Sequence, residues 1–213
     1  MSDSNFNTPI LDVPYFQQTH FSTCGPATLM MVMKYWENSF ELSKSAEFKL
    51  WVKSNPIVFL GGTLQFGLAV TAMKYGYRAE IYQKSSFSDN RSNHLLFYDL
   101  WEKIASFSAR HNKIPIYYGQ DVLTVIYEAL IRKIPPIVFL NLEPIIGENV
   151  LHWVIVTGMK EDNICINDPY VPKDSKPKTK KNFLIDLENF KKAIATDKCG
   201  TLHLPPCVIL IYK

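Results

Sequence analysis

Three residues far apart in the chain have the types and settings that thiol chemistry needs: Cys24, His152 and Asp168. Cys24 stands where a loop gives way to a helical run, Gly25-Pro26 followed by Ala27, Leu29, Met30, Met31, Val32, Met33, Tyr35 and Trp36. Pro26 fits a first helical turn, where its missing N–H costs nothing and its φ is already helical. The sulfur is therefore expected at a helix N-terminus, beside unpaired backbone N–H groups and the positive end of the helix dipole. That setting favours the nucleophilic thiolate over the thiol. A plain alternative is a small buried hydrophobe, and the Cys-Gly-Pro tripeptide alone does not decide between the two. Downstream, residues 151–157 read as a strand, 158–162 as a turn and 163–167 as the return strand. A turn centred between Lys160 and Glu161 sets His152 opposite Pro169, one residue from Asp168. An imidazole and a carboxylate then meet at neighbouring strand ends, where the carboxylate can hold the tautomer and orientation of a histidine acting as general base.

The elements that must position these groups fall into two blocks. The nucleophile helix, about residues 25–37, is followed by a helix over 42–53 with Ser43 as cap and Phe48, Leu50 and Trp51 inward, ended by Asn55-Pro56. Gly61-Gly62-Thr63 opens a third helix, about 63–75, with Leu64, Gly67, Leu68, Thr71, Ala72 and Tyr75 at helical spacing and Gly76 as its stop. No lysine follows in the P-loop position, so this Gly-Gly pair reads as a packing turn rather than a phosphate cradle. Residues 78–82 read as a strand and 84–93 as a polar loop. Residues 96–110 form an amphipathic helix through Phe97, Leu100, Trp101, Ile104 and Phe107. A short strand at 114–118 precedes a helix capped by Asp121 and running to Ile131, with Val122, Val125, Ile126, Ala129 and Leu130 buried. Residues 137–142 are apolar on both faces and read as a central strand. Asp186 caps a short helix to about Ile194, and residues 207–212 complete the sheet. Helices mostly come first and strands last, an α+β pattern in which a helical lobe carrying Cys24 packs on a mostly antiparallel sheet carrying His152 and Asp168.

The 213 residues are 47% hydrophobic and 20% charged, which fits one domain with a proper core, here read as 1–213 with its core at 11–213 and an elaboration at 84–120. A net charge of +3 does not point to nucleic acid. No apolar run reaches the length of a membrane span, and the first residues lack the basic and apolar regions of a secretory signal. Cys24, Cys165, Cys199 and Cys207 do not look like a disulfide scaffold, so a reducing, cytoplasmic setting is expected, with signal-independent export left open.

Cysteine on an N-terminal helix, then histidine on a strand, then aspartate after the next strand is the order of papain-like cysteine proteases. The chain more closely resembles the C39-like cysteine peptidases, the group named for bacteriocin-processing peptidase domains. The resemblance rests on VPYFQQTHFSTCGPATLMM, GGTLQFGLAVTAMKYGY, HWVIVTG and NDPY, and spans about residues 11–170. It implies a papain-like fold, Cys24, His152 and Asp168 as catalytic triad, and Gln18, six residues before the cysteine, as oxyanion-hole donor. Gln17 is adjacent, and an assignment shifted by one stays open. The implied partner is a peptide or protein substrate, with no cofactor and no metal. The bacteriocin-processing relatives cleave after double glycine and are fused to transporters. No transporter segment is seen here, so that specificity does not carry over. Two rivals remain: a transpeptidase of the phytochelatin-synthase type, disfavoured by the lack of a cysteine-rich tail, and a silent peptide-binding module, although such modules lose the cysteine that this chain keeps.

Other candidates read more plainly. His20 is a rim residue, Trp153 a core residue and Cys165 an inert strand residue. Cys199, His203 and Cys207 straddle Pro205-Pro206 with no fourth ligand, a poor zinc spacing. The basic segment 173–181 reads as a solvated loop rather than a grip for an acidic substrate, and residues 1–10 as a loose terminus.

Overall fold

The computed structural model of the chain describes residues 7–55, 62–85, 96–172, 179–195, 198–199 and 202–213. Gly61, most of the polar loop at 84–93 and residues 173–178 of the basic segment lie outside them.

Three helices come first: α1 (Cys24–Trp36), α2 (Lys44–Ser54) and α3 (Gln65–Lys74). The Ser43 hydroxyl caps α2 by accepting from the Ala46 N–H, as its type and place require. Gly76, at φ +87°, lets the chain turn out of α3. At Gly67 a side chain is excluded outright, because a Cβ there would lie 1.9 Å from the Ser54 carbonyl oxygen. That glycine is what lets α3 cross against the end of α2.

The remaining elements are β1 (Arg78–Gln83), α4 (Leu96–His111), β2 (Ile116–Tyr118), α5 (Val122–Ile131), β3 (Ile137–Asn141), α6 (Glu143–Ile146), β4 (Leu151–Lys160), β5 (Asn163–Asn167), β6 (Phe183–Asp186), α7 (Leu187–Ala195), β7 (Lys198–Cys199), β8 (Leu202–His203) and β9 (Cys207–Tyr212). Seven strands form one sheet in the order β2-β1-β9-β3-β4-β5-β6, and β7 and β8 pair separately. Only the β1–β2 pair in that sheet is parallel. β3 is the central strand, buried at all five positions, as its two-faced apolar pattern requires. The last strand, β9, lies inside the sheet, where it joins β1 to β3.

One hydrophobic cluster runs from Leu11 and the buried side of α1, through α3 and α5, to β3, β4 and β9. All five apolar residues expected inside α5 are buried, and Asp121 caps it through the Thr124 N–H. The Trp36 indole donates to the Ile211 carbonyl at 2.8 Å, fastening the far end of α1 to β9.

Several expectations fail for physical reasons. Phe48 is exposed on α2, and the side chain buried in its stead is Glu47. On α4, Leu100, Ile104 and Phe107 are exposed, while Ala109 is buried. An apolar period names a helix face but not a cover for it. Residues 7–10 are not loose: Thr8 and Leu11 donate to the carbonyls of Met159 and Thr157, and Asn7 and Thr8 side chains accept from Glu161 and Met159 N–H groups. The segment thus runs along the end of β4.

Candidate active site

Cys24 is the first residue of α1, and the site is assembled around that helix end. No side chain caps α1, and its first turn holds no acidic residue. The N-cap residue, Thr23, has the right chemistry for capping but points elsewhere. Its hydroxyl lies 2.5 Å from Glu47 Oε1 and 2.8 Å from the His20 carbonyl. Glu47 also takes the Thr19 N–H at 2.9 Å and the Thr19 hydroxyl. A buried carboxylate on α2 therefore pins the loop before Cys24 at both ends and draws the cap away from the helix. The N–H groups and positive dipole end of α1 are left facing the Cys24 side. Gly25 permits this packing, because a Cβ there would press on Leu68 and on Trp153 at 3.1 and 3.2 Å. Trp153 is buried, as expected of a core residue, and its indole donates to the Thr63 carbonyl at 2.9 Å.

The structure brings Cys24, His152 and Asp168 together. His152 Nε2 lies 2.7 Å from Asp168 Oδ1, and both side chains are buried. The imidazole and Cys24 line the same cavity, close enough for the sulfur to act on the ring electrostatically. Burial alone would push the imidazole down. The Asp168 carboxylate and Cys24 outweigh it and hold the ring above the ordinary histidine value, at about 10. Burial would likewise push the Asp168 carboxyl up, but His152 and Lys180 keep it below the usual carboxylate range. The strand register that delivers this pair differs by one residue from expectation. Ile155 faces Asn167, and the bulge at Val156–Gly158 reduces to one the two-residue offset set at the turn, where Lys160 faces Asn163. The chain leaves β5 right after Asn167, which frees Asp168 to turn toward His152.

Segment 13–18 ties the cysteine loop to this corner. Asn167 donates to the Val13 carbonyl, Tyr15 donates to the Asp168 carbonyl, and the Gln18 N–H donates to the Pro169 carbonyl, each at 3.0 Å. Gln18 lines a cavity of about 170 Å³ with Cys24, His152, Phe21, Leu142 and Tyr170. Gln17 is exposed. The Gln18 amide donates to the His20 and Phe21 carbonyls at 2.8 and 3.0 Å, and its Oε1 is buried with no hydrogen-bond partner.

Lys180 is a neighbour of Asp168 that the sequence reading missed. Its side chain is buried, and Nζ lies 2.7 Å from Asp168 Oδ2. Within a run of lysines and prolines nothing in its type or spacing marks it. Lys181 beside it does behave as a surface residue, pairing with exposed Asp12.

His20 is exposed. Cys165 and Cys207 are buried free thiols, and burial pushes both up in pKa. The side chains of Cys199 and His203 lie outside the described residues. Among the described residues no three His, Cys, Asp or Glu side chains gather to hold a metal ion, and no helix is long and apolar enough to cross a membrane.

Comparison with solved structures finds several similar ones. A C39-like peptidase candidate from Bacillus anthracis aligns over 97% of this chain and 98% of its own, with a TM-score of 0.54 and 14% identity. A double-glycine-motif protease from an AMS/PCAT transporter, solved with its leader peptide, covers 95% of this chain and 94% of its own at a TM-score of 0.46 and 19% identity. The peptidase domain of Streptococcus ComA, a bi-functional ABC transporter of a quorum-sensing pathway, covers 92% and 96% at 0.47 and 16%. No curated protein matches the sequence. The fold is that of the papain-like C39 peptidase domains. The sequence profile of the Peptidase_C39 like family matches residues 13–202, and the chain belongs to that family.

Proposed function

We propose that the protein is a thiol peptidase that cleaves a peptide or isopeptide bond through Cys24, His152 and Asp168. The observation that carries this reading is the buried pair itself: an imidazole seated on a carboxylate and lining one cavity with a cysteine at a helix N-terminus. Each part has a chemical task. His152 takes the Cys24 proton, and the imidazolium is held by Asp168. The thiolate attacks the scissile carbonyl, and the new oxyanion is met by the Cys24 backbone N–H, which as the first in α1 has no intrahelical partner. His152 then returns its proton to the leaving amine, the C–N bond breaks and an acyl-enzyme remains. Water, deprotonated by the same imidazole, releases the acid and regenerates the thiol. Gln18 is the second oxyanion donor, a task that requires its amide to turn one proton from the Phe21 carbonyl into the cavity.

Phe21, Leu142, Val150, Leu151 and Tyr170 give the cavity beside Cys24 an apolar part of its lining. The test is trapping. A peptide mixture is incubated with the protein, and intact mass spectrometry seeks an acyl adduct on Cys24 together with cleaved products. Adduct and products in the wild type, both lost in Cys24→Ala, are expected. Peptide binding that is unchanged in Cys24→Ala, with no turnover by the wild type, would contradict the reading and leave a binding module. An added amine acceptor separates hydrolysis from transpeptidation by the mass of the product.

A further inference from the structure

We propose that Lys180 is a positioning residue of this site: its buried ammonium, seated on the second oxygen of Asp168, fixes the carboxylate toward His152 and supplies the positive charge that lets the thiolate form. The proposal rests on the thiol-peptidase reading and adds to it a fourth residue, one that acts through Asp168.

The contacts leave the carboxylate no freedom. Oδ1 takes His152 Nε2 at 2.7 Å and the Tyr170 N–H at 2.8 Å, and Oδ2 takes Lys180 Nζ at 2.7 Å. Lys180 is itself held in place. Its carbonyl accepts the Asp168 N–H at 3.1 Å, and its ammonium lies 5.7 and 5.9 Å from the ring centres of Tyr170 and Phe183. Burying an ammonium costs several kcal/mol in desolvation, and an ion pair of this kind is often no more stabilising than apolar residues of the same size. Stability alone is therefore a weak reason for a lysine at this position.

The charge balance supplies a better one. With Cys24 as thiolate and His152 as imidazolium, Cys24, His152 and Asp168 together carry one net negative charge inside the protein. Lys180 brings the sum to zero. Among the described residues, the groups that face the site are few. Cys24 comes from α1, His152 from β4, Asp168 and Tyr170 from the segment after β5, and Tyr15 from the N-terminal segment, its hydroxyl on the Asp168 carbonyl. Glu148, exposed on the cavity rim, is the other carboxylate there among the described residues. Removing Lys180 leaves Asp168 and an ionised Cys24 with less positive charge beside them. The acid limb of Cys24 ionisation then moves to higher pH.

The experiment measures iodoacetamide alkylation of Cys24 against pH in the wild type, Lys180→Met and Lys180→Arg, with folding checked by circular dichroism. Expected is an upward shift of the limb by about one pH unit in Lys180→Met, which is a roughly tenfold slower reaction on its acid side, with recovery at higher pH. Lys180→Arg should stay with the wild type. A folded Lys180→Met whose profile superimposes on the wild type would overturn the proposal. If Lys180→Met does not fold, Lys180→Gln keeps a donor on Oδ2 without the charge and is expected to show the same shift. An unshifted Lys180→Gln, or collapse of both neutral variants while Lys180→Arg stands, would overturn the proposal and make Lys180 scaffold. A wild type with no limb below the ordinary thiol range defeats the peptidase reading itself, whereas a wild-type limb unmoved in the variants defeats only the role of Lys180.

Discussion

At the residue scale the site is a set of decisions about where each hydrogen goes. The Thr23 hydroxyl serves Glu47 and His20 rather than the helix it precedes, so the N-terminus of α1 stays free for charge at Cys24. The Asp168 carboxylate has no vacant side, since His152, Tyr170 and Lys180 all reach it. Gln18 is different. Its amide protons rest on two backbone carbonyls, an arrangement that the proposed reaction would have to break for Gln18 to serve as the second oxyanion donor. Gln18→Ala is therefore expected to lower kcat about 10²- to 10³-fold with little change in KM, while Cys24 alkylation proceeds as in the wild type. Equal loss of alkylation would instead make Gln18 a support of the loop. The pair of His152 and Asp168 also links stability to pH. A histidine raised from 6.5 to about 10 contributes stability that is complete below 6.5 and is lost as pH rises through about 10. Calorimetry across that window should show an alkaline fall in Tm in the wild type that His152→Ala lacks.

At the scale of elements, the crossing of α2 and α3 sets how Glu47 meets the cysteine loop. That crossing depends on Gly67, where any side chain meets the Ser54 backbone. Gly67→Ala is expected to cost about 1–3 kcal/mol, because backbone rather than a flexible side chain must yield. The fall in Tm would amount to several degrees in a chain of this size. An unchanged Tm would mean that the two helices do not approach as closely as described. Elements whose signals are local were legible in the sequence: the Ser43 and Asp121 caps, the stop at Gly76 and the doubly buried β3. Elements whose burial depends on a distant cover were not. The α4 stripe at Leu100, Ile104 and Phe107 has the same period as a core helix yet is exposed, and the pinning of residues 7–10 on β4 has no periodic signature at all.

At the scale of the whole molecule, the fold brings together three segments that the chain keeps apart: the start of α1, the start of β4 and the exit from β5. Cys24, His152 and Asp168 stood out in the sequence because their types are chemically suited to one another and each sits at the end of a readable element. Lys180 and Glu47 did not. Their roles arise from burial that only the assembled fold creates, and a lysine among lysines or a glutamate on a helix reads as surface. The central claim is that this assembly makes an ion pair of Cys24 and His152 before any substrate arrives. The most direct measurement is the pH dependence of iodoacetamide alkylation at each cysteine, by mass spectrometry, in the wild type and in His152→Ala. The expected result is rapid, selective modification of Cys24 well below the ~8.5 of an unperturbed thiol, lost in the variant. Reaction of Cys24 no faster than at Cys199 or Cys207, unaltered by His152→Ala, would contradict the claim.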